Sequence, residues 1–165
     1  MMKKTKSLII LLFVIMMTTT TVYAYTNKIK EGDRLLQIEY TNIKSNSNKG
    51  TVTYDSETGL NFNAKLEIPG DYYEFTVDLV NTGSKDAQIE KVEITQLTDE
   101  QKRYLSYTVT YEDNSQINVG DIIKSKDKKT IKVRLEYKYD ITIEDLPTKD
   151  EKFNPSFNII MTENK

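Results

Sequence analysis

The residue types that carry most enzyme chemistry are missing from this chain: its 165 residues include no histidine and no cysteine. Ser-His-Asp and Cys-His triads are therefore excluded, as are zinc sites built on imidazole or thiolate. Carboxylates, lysines and tyrosines remain. A carboxylate pair could cleave a glycosidic bond only if the two faced each other across a cleft, which no local spacing encodes. The acidic pairs Glu112-Asp113 and Glu144-Asp145 could contribute oxygens to a calcium ion. No EF-hand or other ordered ligand spacing surrounds them, so solvated loops are the preferred reading. The sequence predicts no catalytic residue, no cofactor and no metal site.

One chemical event is legible, and it is proteolytic. Lys3, Lys4 and Lys6 precede an uncharged apolar stretch from Leu8 to Met17, four threonines, and then Val22-Tyr23-Ala24. That is the order of a secretory signal peptide over residues 1–24. Val22 and Ala24 fit the pockets of a signal peptidase, so the mature chain is expected to start at Tyr25. The rival is an uncleaved anchor, but a spanning helix needs about 20 apolar residues, and this run is diluted after Met17. Leu146-Pro147-Thr148-Lys149 echoes a sortase signal without its glycine, and reads as a loop.

Cleavage leaves one domain, residues 25–165, with 20 basic and 25 acidic side chains and a net charge of −5. The charges are interspersed. With no basic stripe to neutralise phosphates, no nucleic-acid partner is expected, and membrane contact is expected only through an uncleaved leader. A secreted domain of this length can bury a core without disulfides, and their absence suits a bacterial envelope.

Strands must supply the framework. Tyr73, Phe75, Val77 and Leu79 alternate with Glu74, Thr76 and Asp78. Leu105, Tyr107, Val109 and Tyr111 alternate with Ser106, Thr108 and Thr110. Ile131, Val133, Leu135, Tyr137 and Tyr139 alternate with Lys132, Arg134, Glu136 and Lys138. Period two with one wet face predicts antiparallel strands. Weaker strands are expected at 36–40, 51–54, 60–68, 117–119, 122–123 and 157–161. Between Ile89 and Val92 the alternation slips, which predicts a β-bulge at Glu90-Lys91. Thr98 with Gln101 predicts a capped helical turn. Residues 41–50 read as a mobile polar loop. Pro69 and Gly70 set a turn, Asp71 can accept from nearby backbone N–H groups, and Asn81 with Gly83 forms a second turn in which the glycine can take positive φ. The pattern as a whole predicts an all-β, immunoglobulin-like antiparallel β-sandwich of about seven to nine strands.

The segment from Ile68-Pro69-Gly70-Asp71 through Asn81-Thr82-Gly83, with the leader end Val22-Tyr23-Ala24-Tyr25, resembles the TasA/camelysin type of secreted proteins of Gram-positive bacteria. Their leaders are cut by a SipW-type signal peptidase. The resemblance implies a non-enzymatic protein of the cell surface or biofilm matrix, partnered by itself or by other surface proteins. It also implies strand donation by the residues after the cut, by position Tyr25 to Tyr40. The plainer reading, preferred here, makes residues 35–40 the first strand of the chain's own sandwich. The metalloprotease label attached to camelysin-type proteins does not transfer, since no HExxH helix exists here. The alternative is a monomeric or anchored module for a wall glycan or host protein. Tyr72 and Tyr104, off the alternating pattern, are its only candidate exposed aromatics.

Overall fold

A computed structural model describes residues 35–55, 59–147 and 153–164. Every element belongs to the unit Leu36–Lys165. The strands are β1 (Ile38–Ser45), β2 (Gly50–Asp55), β3 (Gly59–Ala64), β4 (Tyr72–Asn81), β5 (Ala87–Ile94), β6 (Leu105–Tyr111), β7 (Ile122–Ile123), β8 (Lys128–Tyr137) and β9 (Ser156–Glu163). A single helical turn, α1 (Gln101–Tyr104), precedes β6, and a 3-10 turn (Ile143–Asp145) follows β8.

The strands form two antiparallel sheets, ordered β1-β4-β8-β6 and β2-β3-β9-β5-β7. The first order is that of strands A, B, E and D of an immunoglobulin-like sandwich, with β5 and β9 standing at C and F. The position beside F, which the last strand of such a domain fills, is held here by β3. This strand reaches it as half of the β2–β3 hairpin inserted between β1 and β4.

The period-two reading holds where it was strongest. Tyr73, Phe75, Val77 and Leu79 of β4, and Ile131, Val133 and Leu135 of β8, are buried between the sheets. Leu60, Phe62, Ile89, Phe157 and Ile159 meet them from the second sheet. Phe75 lies 5.2 Å from Phe62 and 6.4 Å from Phe157, centroid to centroid, so aromatic contacts bridge the layers. The bulge is where alternation slipped: Ile89 pairs with Met161 and Lys91 with Ile160, leaving Glu90 extra. Thr98 and Gln101 exchange the reciprocal bonds of a capping box, Gln101 N–H to Thr98 Oγ1 at 3.1 Å and Thr98 N–H to Gln101 Oε1 at 3.0 Å.

Several expectations need correction. The strand expected at 60–68 ends at Ala64. Residues 41–45 are strand, not mobile loop: Asn42 takes φ 53, the ladder slips between Thr41 and Lys44, and β1 continues along β4 to Ser45. Only residues 46–49 connect it to β2. Gly83 does not take positive φ; its N–H is held by Asn81 Oδ1 and its carbonyl by Ser125 Oγ, so the turn closes without left-handed backbone. The stretch 117–119 is no strand; the residue before it, Gln116, makes an isolated bridge to Thr110. Tyr139 lies beyond the end of β8 and is 82% exposed, so the alternation stops at Tyr137.

Candidate assembly edge

The predicted turn residues stand at opposite ends of β4, one turn before Tyr72 and one at Asn81. Asp71 N–H bonds Ile68 O at 3.0 Å, with Gly70 at φ 92, which is the turn that Pro69 presets. Asp71 Oδ2 accepts from Glu67 N–H at 2.9 Å and Ile68 N–H at 3.3 Å, and Lys49 Nζ lies 2.5 Å from Oδ1. The Lys49 ammonium, helped by those backbone donors, holds the Asp71 carboxyl down at about 2. Asn81 is fully buried. Its amide donates to Lys85 O and Ile123 O and accepts from Gly83 N–H, so every polar atom has a partner. Val22, Ala24 and Tyr25 lie outside the described residues. The turn residues that are described are structural, and the structure does not gather them into one site.

A buried carboxylate that the sequence did not single out sits on the outer face of the first sheet. Asp78 accepts from Lys128 Nζ at 2.6 Å, Thr130 Oγ1 at 2.8 Å and Asn42 Nδ2 at 3.1 Å. The Lys128 ammonium is the main reason its carboxyl sits at about 2; Asn42 and Thr130 add to this, and burial works against it. The positive φ of Asn42 follows from the same contact, since the bulge turns its amide onto Asp78. Nearby, Arg134 stacks 3.7 Å from the Tyr72 ring and pairs with Glu74 and Glu136. These groups satisfy one another. Tyr104 is buried, whereas Tyr72 is 39% exposed with Arg134 stacked on its ring, so the two aromatics do not form a shared platform for a sugar. Asp113 bonds Ser115, and Asp145 bonds Thr142 and Arg103, so both acidic loops turn carboxylates onto their own surroundings. Among the described residues no three acidic side chains group as cation ligands, and no helix is long and apolar enough to cross a membrane.

What stands open is backbone. Thr95 N–H bonds Ser156 O and Asn164 N–H bonds Asp86 O, so the even-numbered residues of β9 face β5. The odd-numbered ones face β3. Yet β3 pairs with β9 only at Leu60–Phe157 and Asn61–Ser156, with Phe62 N–H reaching Pro155 O. Pairing ends there because β3 starts at Gly59, where φ is +80 and the chain turns back toward β2. A Cβ on Gly59 would come within 2.5 Å of Phe157 O, so only glycine lets the hairpin press this close. Beyond that point the backbone of Ile159 and Met161 meets no strand among the described residues. The Ile159 N–H instead donates to the hydroxyl of Tyr40, from β1 of the other sheet, at 2.9 Å.

No family model, curated protein or solved structure matches this chain.

The sequence bears on this strand only through Pro155, which reads as placing its start at an edge or entry. β9 reads as an ordinary alternating strand, and only the pairing register shows that its neighbour is too short. Residues 38–40 are part of β1, paired with β4, which agrees with the plainer of the two readings of that segment.

Proposed function

We propose that this is a secreted, non-enzymatic structural or adhesive protein of a bacterial surface or biofilm matrix, one that assembles with further copies by β-strand addition. The observation that carries the reading is the half-covered β9. An exposed ladder of N–H and C=O groups is a template for another chain, and proteins ordinarily cover or blunt it. Among the described residues, the position beside β9 is filled for only part of the strand's length. The leader-like residues 1–24 and the resemblance to TasA/camelysin-type proteins support the same reading, and the absence of histidine and cysteine removes most catalytic alternatives.

The test is assembly of the mature protein purified from culture supernatant. Light scattering should show growth to high-mass species as concentration rises. Met161→Pro should block that growth without unfolding the domain, because proline at an edge-facing position removes one donor and no bond to β5. A monodisperse wild-type protein at all concentrations would sink the reading.

A further inference from the structure

The chain has no cysteine, histidine or tryptophan, and four of its five methionines lie in residues 1–24 with one of its eleven tyrosines. Beyond the leader, a one-electron oxidant therefore meets tyrosine and the single Met161, and no thiol is present to take the oxidation instead. Two tyrosines are held in ring contact across the sheets. Tyr40 of β1 and Tyr54 of β2 lie 5.5 Å apart, centroid to centroid, with their planes at 51°. Each strand is the outermost of its sheet among the described residues. Tyr40 is fixed from two further sides: its hydroxyl accepts the Ile159 N–H at 2.9 Å, and its ring meets Phe157 edge-on at 6.0 Å. Tyr54 is 55% exposed, so an oxidant in solution reaches it. The pair Tyr104–Tyr137, at 6.1 Å, is buried on both sides. Tyr40–Tyr54 combines contact with access.

We propose that Tyr40 and Tyr54 are a modification site: oxidation by hydrogen peroxide and a haem peroxidase joins them as a dityrosine clasp that ties the two sheets within one copy. Each phenol gives up one electron and its O–H proton. The two phenoxyl radicals couple through ring carbons next to their hydroxyls, and the two displaced ring protons return to the oxygens. The product is lighter by two hydrogen atoms, and the peroxide leaves as two waters. Rings already in contact need only side-chain motion to couple. Neither oxygen is consumed, so the Ile159 N–H keeps its acceptor. The loop between residues 40 and 54 becomes covalently closed, which restricts the unfolded chain as a disulfide does. The clasp forms inside one copy, so it does not depend on assembly.

The test treats the purified protein, at high dilution, with a haem peroxidase and limiting hydrogen peroxide. Cleavage after lysine and arginine puts Tyr40 in the peptide 35–44 and Tyr54 in the peptide 50–65. The expected product is a monomer lighter by two hydrogen atoms, with those two peptides joined and the blue fluorescence of dityrosine. Its unfolding should be disfavoured by about a hundredfold, read as a higher urea midpoint. Tyr54→Phe, a conservative change on an exposed ring, should abolish the product. Tyr139→Phe, which removes a tyrosine that is 82% exposed, should leave it intact. Protein unfolded in urea should lose the preference for this pair. Joining of other peptides, covalent dimers with no lighter monomer, or an equal yield from the unfolded chain would overturn the site. A joined pair with an unchanged urea midpoint would overturn its role as a tie between the sheets.

Discussion

Two buried polar side chains show how residues hold this sandwich together. Asn81 replaces a ladder partner at the end of β4, tying the 81–85 turn to Ile123 across the sheets. Truncating it leaves two carbonyls and the Gly83 N–H without partners in a dry site. Asn81→Ala should therefore cost about 3 kcal/mol, read as a lower urea midpoint. Asp78 and Asp71 bear on acid stability. Each sits at about 2 when folded, against an ordinary 3.8. A depressed carboxylate contributes fully above the unfolded value and loses its contribution as pH falls toward the folded one. The wild-type urea midpoint should therefore hold steady down to about pH 4 and fall between about pH 4 and pH 2. Asp78→Asn should be less stable at neutral pH, with a shallower acid decline because one of the lowered carboxylates is gone, Asp71, Asp113 and Asp145 remaining. An acid decline as steep as that of wild type would mean that the Lys128 pair adds nothing to the linkage.

At the scale of elements, strands that obey their own alternation were readable and strands defined by a neighbour were not. β4 and β8 have apolar residues at every second position, so periodicity alone placed them. The extension of β1 through Ser45 escaped because Asn42 breaks the period, and only the Asp78 cluster on β4 explains the break. The open edge escaped for the same reason, since it depends on how far a hairpin from residues 50–64 reaches along a strand about 100 residues later. The β5 bulge was legible because its signal is local, and it yields a sharp test. With Glu90 removed, Ala87, Ile89, Val92 and Ile94 alternate without interruption, and the pairs Ile89–Met161 and Lys91–Ile160 become consecutive. Deleting Glu90 should change stability by less than about 1 kcal/mol, since no side chain switches face. Deleting Thr76 from β4 should abolish folding, because it turns either Tyr73 and Phe75 or Val77 and Leu79 outward. Circular dichroism and thermal melts of the two deletions decide the matter; a Glu90 deletion as damaging as the Thr76 deletion would show that the bulge itself shapes the sheet.

At the scale of the whole molecule, charge sets how readily copies meet. The full chain carries 23 basic and 25 acidic side chains, and loss of the leader's three lysines takes the net charge from −2 to −5. Removing residues 1–24 would thus add mutual repulsion between copies, which the proposed assembly must overcome. Salt screens such repulsion over about 10 Å at 0.1 M. The hydrogen bonds of an added strand, by contrast, are neutral and short-ranged, so salt leaves them largely intact. These two facts separate assembly by strand pairing from assembly by ion pairs. Pairing along β9 should speed up with added salt at pH 7, and should also speed up as the pH is lowered toward the isoelectric range, near 5.4 for the full sequence. The pH range between 7 and 5.4 lies above the acid window in which Asp71 and Asp78 titrate. Scattering kinetics at about 0.02 M and about 0.3 M salt span the range where screening matters. Faster growth at the higher salt is the expected outcome. Slower growth would mean that opposite charges on the two copies drive the contact, and would move the interface off the uncharged backbone edge at Ile159 and Met161.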